Sequence, residues 1–119
     1  RRLELLGDTI LRTVIVDLLH TKAQDRHSVG HIAELVMVLT SNSMLSKMFY
    51  FLELHKHATN IPRQKKKPSS GKMGANIVEA MVGEYYLEHG FKPTKNLIKN
   101  IYKRYCKHQY PKYTYLFGD

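Results

Sequence analysis

Cysteine is almost missing from this chain. Cys106 stands alone, so no intramolecular disulfide can form, and a reducing compartment is expected, although an organelle would also suit so basic a domain. With one cysteine there is no His/Cys quartet for a structural zinc. The seven histidines, including the pairs His27/His31 and His55/His57, therefore read as surface residues. No run of eighteen apolar residues occurs, so no segment is expected to span a membrane. The motifs G-x-G-x-x-G, G-x-x-x-x-G-K-[ST] and G-x-S-x-G are absent, which leaves dinucleotide, P-loop and serine-hydrolase chemistry without support. Negative charge is scarce as well: ten acidic residues against nineteen basic give a formal +9, a balance that favours a polyanionic partner, nucleic acid before membrane.

Because acids are few, their positions are informative. Glu4 and Asp8 stand four apart inside the apolar run Leu3-Glu4-Leu5-Leu6-Gly7-Asp8-Thr9-Ile10-Leu11, and on a helix they share one face. Leu3, Leu6, Ile10, Val14 and Leu18 recur at helical spacing, so this helix should be largely buried, and a buried helix seldom carries acids without a partner. Arg1 and Arg12 fall on the same stripe and offer ordinary salt bridges. A divalent metal is the other candidate. A second apolar stretch, Lys72 to Leu87, places Asn76 and Glu79 three apart, with the small residues Ala80 and Gly83 beside them. Small residues let another backbone approach closely, and Gly7 lies similarly near Glu4. Two such helices packed together would gather Glu4, Asp8, Asn76 and Glu79 around one hard cation, for which Mg²⁺ is suited.

These residues carry a family resemblance. Arg2 to Leu11 resembles the ribonuclease III signature E-R-L-E-F-L-G-D-A-V-L, and Lys72 to Leu87 resembles the family's K-x-x-A-D-x-x-E-A-x-x-G-x-x-Y-L motif. Between them, Leu39-Thr40-Ser41-Asn42-Ser43-Met44-Leu45 is similar to L-V-S-N-x-x-L. The order is the family's, and the likeness runs to about residue 105. Two departures fall on the chemistry: Arg1 stands where the signature has its first Glu, and Asn76 where the second motif has Asp.

The resemblance implies an all-α ribonuclease III-like domain over residues 1–109, followed by a tail or linker, 110–119. The chain begins inside a motif and reads as an excised domain, so targeting signals and any double-stranded-RNA-binding domain are expected outside it. The implied activity is Mg²⁺-dependent (Mn²⁺ as substitute) hydrolysis of double-stranded RNA, leaving a 3′-hydroxyl and a 5′-phosphate. It would proceed in a homodimer or a pair with a related domain. Glu4, Asp8 and Glu79 fall on acidic metal-site positions and Asn76 on the fourth, making these four the implied catalytic and metal residues. The alternative is a catalytically degenerate scaffold that binds RNA or pairs with a partner in a ribosomal or RNA-processing complex. Arg1 either weakens the acid site by pointing inward or contacts phosphate.

The rest of the chain reads as helices and one loop. A helix is expected from Leu3 to about His20, a second capped by Ser28, a third capped by Ser41 or Ser43, and a last one starting at Pro93 after a Gly90 C-cap. Met48, Phe49 and Phe51 read as core. Residues 60–71, with two prolines and Lys65, Lys66 and Lys67, read as an exposed loop whose cations are solvated, meet phosphates or serve as a localisation signal. Lys72 continues that run. Lys95, Lys99, Lys103 and Lys107, each four from the next, form one side of the last helix, either as a solvated face or as a phosphate-binding stripe.

Overall fold

In the computed structural model, residues 2–23, 28–53 and 72–118 are described, and among them only helices occur. They are α1 (Arg2–Ala23), α2 (Val29–Leu39), α3 (Asn42–Phe51), α4 (Lys72–His89), α5 (Phe91–Gln109) and a short 3₁₀ helix, Pro111–Phe117. Residues 54–71, with the expected loop and Lys65 to Lys67, lie outside the described residues, as do Arg1 and His27. No helix among the described residues is long and apolar enough to cross a membrane.

The first helix is the axis of the fold. Leu11, Val14, Ile15 and Leu19 are fully buried, and Ile10 and Leu18 nearly so; these positions cover far more of the helix circumference than one amphipathic stripe. The reason is that α1 is covered from several sides, by α4 above all, and also by α2, α5 and the 3₁₀ helix. Leu3 departs from the expected stripe and is 36% exposed. At that level the backbone of α1, and not a side chain, faces α4, since a Cβ on Gly83 would collide with the Leu3 carbonyl.

Caps set the helix starts where the sequence places them. Ser28 and Ser41 hold extended backbone, and their Oγ atoms accept from the His31 and Met44 amides, each at 3.1 Å. Between α4 and α5 the chain turns at Gly90, whose φ of 85° suits a residue without Cβ. Here α5 begins at Phe91, two residues before the expected Pro93, because a proline within the first turn forfeits no helical hydrogen bond. Phe51, expected in the core, is instead 37% exposed at its edge, with its ring against Tyr105.

The expected tail is the larger correction. Residues 111–117 turn back as the 3₁₀ helix, and Leu116 and Phe117 are fully buried. Phe117 stacks on Tyr102 at 5.2 Å, and the Tyr102 hydroxyl donates to the Leu39 carbonyl at 2.7 Å, fastening α5 to the end of α2. A polar, tyrosine-rich segment thus closes the core through its last two apolar side chains. Cys106 is buried beneath it, and burial pushes its thiol up to about 11, which leaves no thiolate for nucleophilic chemistry near neutral pH.

Candidate functional site

Two glycines bring the acids together. A Cβ built on Gly7 would overlap the Glu79 carbonyl and lie 3.0 Å from the Gly83 nitrogen, while one on Gly83 would lie 3.2 Å from the Gly7 nitrogen. The backbones of α1 and α4 are therefore in direct contact. Leu3 is opposite Gly83 and Gly7 opposite Glu79, so the two helices run antiparallel. Glu4 and Asp8 flank Gly7 on α1, and Glu79 is one turn before Gly83 on α4. All three acids are half-buried at this seam.

The electrostatics follow from that crowding. Glu79 is raised from 4.5 to about 7, first by burial, then by the hydrogen-bonding proximity and charge of Asp8 and the charge of Glu4, with Arg12 opposing. Asp8 accepts from Arg12 Nε at 3.2 Å, the local partner anticipated from the sequence; the side chains are 29% and 54% exposed. Asn76 is half-buried on α4, one turn before Glu79. As a donor set, three carboxylates and an amide oxygen fit a hard divalent cation, and the repulsion that lifts Glu79 is what such a cation would relieve. The side chains do not converge as they stand: no group of three His, Cys, Asp or Glu has metal-holding geometry among the described residues, and Asp8 is committed to Arg12.

A pH dependence follows. Between pH 4.5 and about 7 the folded state keeps a proton on Glu79 that the unfolded chain has released. The metal-free domain is therefore expected to lose stability as pH rises through this window, with the contribution complete below it. Glu79→Gln should flatten that part of a melting-temperature profile recorded in chelator. An equally steep profile for the variant would place the titrating group elsewhere.

The lysine stripe of α5 is not a free face. Lys95 forms an ion pair with Asp17 of α1, and Lys99 lies over Gly118, where a Cβ would come within 3.0 Å of its Cε. Lys103 is half-buried, while Lys107 and Lys72 are exposed. Lys95 and Lys99 thus already have neighbours within the fold, because α1 and the folded-back 3₁₀ helix lie on that side of α5. Asp17 escaped the sequence reading; its only signal was a third acid on α1, after Glu4 and Asp8. An apolar groove of about 400 Å³ between α4 and α5, lined by Leu52, Val78, Met81, Tyr85 and Ile101, contains none of the acids. A shallow hollow of about 490 Å³ on α1, lined by Arg12, Thr13, Val16, Asp17 and His20, begins one turn from Asp8.

Comparison with known proteins points the same way. The ribonuclease III domain family model matches residues 1–90. Ribonuclease 3 of Caenorhabditis briggsae is 30% identical over 108 residues, which are 91% of this chain and 10% of that protein. Ribonuclease 3 of Borreliella burgdorferi is 27% identical over 108 residues, 89% of this chain and 44% of that protein. The chain thus spans less than half the length of these relatives. The nuclease domain of ribonuclease III from Campylobacter jejuni superposes with a TM-score of 0.70 at 24% identity, over 93% of this chain and 76% of that one, a likeness of fold.

Proposed function

The chain belongs to the ribonuclease III domain family, and from that premise we propose that it is the catalytic domain of a metal-dependent endoribonuclease that hydrolyses phosphodiester bonds of double-stranded RNA. One observation carries this reading: the Gly7–Gly83 contact sets Glu4 and Asp8 beside Glu79 across two helices, in a protein otherwise short of acids.

Glu4, Asp8 and Glu79 would hold the cation through carboxylate oxygens, and Asn76 would add a neutral amide oxygen. A bound divalent ion lowers the pKa of its water and stabilises charge on a phosphate. The residues of the chain supply the rest. Gly7 and Gly83 keep the ligands of the two helices at one distance. Glu79 must lose its proton to act as a ligand, so cation uptake weakens as pH falls below about 7. Exposed cations such as Lys72 and Lys107, within a net charge of +9, attract the RNA backbone without reading its sequence. We further propose that the domain works paired with a copy of itself or a relative; the Campylobacter jejuni nuclease domain has a flexible region involved in dimer formation. The solvent-exposed Leu5, Met37, Val38 and Leu87 supply apolar surface for such pairing.

Asn76, neutral where the family motif has an acid, favours a second reading as a degenerate RNA-binding or pairing scaffold. An end-labelled RNA duplex incubated with Mg²⁺, Mn²⁺ or chelator separates the two. Discrete cuts that require metal are expected. Retention of the duplex in a gel shift, with no cleavage in either metal, would leave the scaffold.

A further inference from the structure

The acid site contains a cation of its own. Arg12 lies one turn beyond Asp8 and donates through Nε to its carboxylate, and its charge is felt by Glu79 across the helix pair. That bond uses one of five guanidinium N–H donors; the other four have no protein partner among the described residues. The Arg12 end of the pair is solvent-exposed, so the pair is weak and readily exchanged for a better partner. As they stand, with Asp8 bonded to Arg12, no three His, Cys, Asp or Glu among the described residues have metal-holding geometry. The hollow beside Arg12, lined by Thr13, Val16, Asp17 and His20, leaves room for the guanidinium to swing away from Asp8.

We propose that Arg12 is an internal counter-cation for Asp8 that competes with a divalent ion for that carboxylate, so that the arginine sets the metal concentration at which the site fills. Arg12 has this role only if the acids hold a cation, as proposed above. The competition is direct, because the carboxylate cannot serve both partners with the same oxygen and a guanidinium left in place would repel the incoming ion. Without metal the same residue is stabilising, since it is the one cation among the described residues bonded to this acid cluster.

The experiment is a calorimetric titration of the chelator-treated full chain with Mn²⁺ alone, at fixed pH and ionic strength, for wild type, Arg12→Gln, Arg12→Lys and Lys95→Gln. Removing a weak ion pair together with a repelling charge should tighten Mn²⁺ binding by about tenfold in Arg12→Gln. Arg12→Lys keeps the charge but loses the planar Nε donor, and should lie between that variant and wild type. Lys95→Gln removes an equal charge at Asp17 and should leave binding unchanged. Melting in chelator should show Arg12→Gln folded but less stable than wild type, and gaining more than wild type from Mn²⁺. Equal affinities for wild type and Arg12→Gln, with binding lost in Glu79→Gln, would overturn the role of Arg12 while leaving the metal site intact. Equal tightening in Lys95→Gln would also overturn it, by reducing the effect to net charge. Absence of Mn²⁺ binding in every variant would remove both the competition and the metal reading.

Discussion

Gly7→Ala is expected to lower the unfolding free energy by about 2–4 kcal/mol, although alanine is the better helix former. The added methyl has nowhere to go: it would meet the Glu79 carbonyl and the Gly83 nitrogen, backbone atoms that move only if the two helices part. Parting them strips contacts from the most extensive interface of the fold and draws Glu79 away from Asp8 and Glu4. Gly30→Ala in α2 is the control. Its Cβ would meet nothing closer than the Ser28 Oγ at 3.9 Å, so propensity alone should act and stabilise by up to about 1 kcal/mol. Urea unfolding of both variants beside wild type measures the contrast. If Gly7→Ala shifts the midpoint upward as Gly30→Ala does, the backbone contact between α1 and α4 is not what joins them.

Asn76→Asp and Glu79→Gln are expected to change metal-dependent cleavage in opposite directions. Glu79→Gln removes a charged ligand from a site that already has an amide at Asn76, and the rate should fall by about a hundredfold or more. Asn76→Asp adds a carboxylate one turn away and should lower the Mg²⁺ concentration for half-maximal cleavage, about tenfold as a first expectation. Stability in chelator should move the other way. A further carboxylate near Glu4, Asp8 and Glu79 adds repulsion without a cation to offset it, so Asn76→Asp should melt lower. Glu79→Gln removes the carboxyl that burial and Asp8 disfavour in its charged form, so it should be at least as stable as wild type at pH 8. Loss of activity with no loss of stability cannot be a folding defect. Cleavage by Glu79→Gln at the wild-type rate would exclude Glu79 from the reaction.

Several of the site's features were readable before any fold was known. The spacing of Glu4 and Asp8, the spacing of Asn76 and Glu79, and the small residues Gly7 and Gly83 are local facts, and each helix carried its half of the site in its own period. The glycines mattered most, since a residue without Cβ on an apolar helix marks where another backbone can approach, and the structure puts these two against each other. The tail was misread because proline, glycine and tyrosines at residues 110–118 resemble an exposed segment when viewed alone. Its apolar content is two side chains at the far end, Leu116 and Phe117, which have a place only once Tyr102 and α1 are in position.

By itself, then, the sequence determined the helices, their serine caps, the acids on two helical faces and the family, because all of these depend on residues within a turn or two of one another. Only the tertiary structure decided which charges meet. Lys95, read as one side of the last helix facing solvent or phosphate, is held by Asp17, 78 residues earlier, and Arg12 is bonded to Asp8, while Arg1 lies outside the described residues. A lysine on a helix face looks the same in sequence whether water, phosphate or a carboxylate lies opposite. What lies opposite is set by the packing of α5 on α1 and of α1 on α4, through contacts between residues too far apart in the chain for any local period to record.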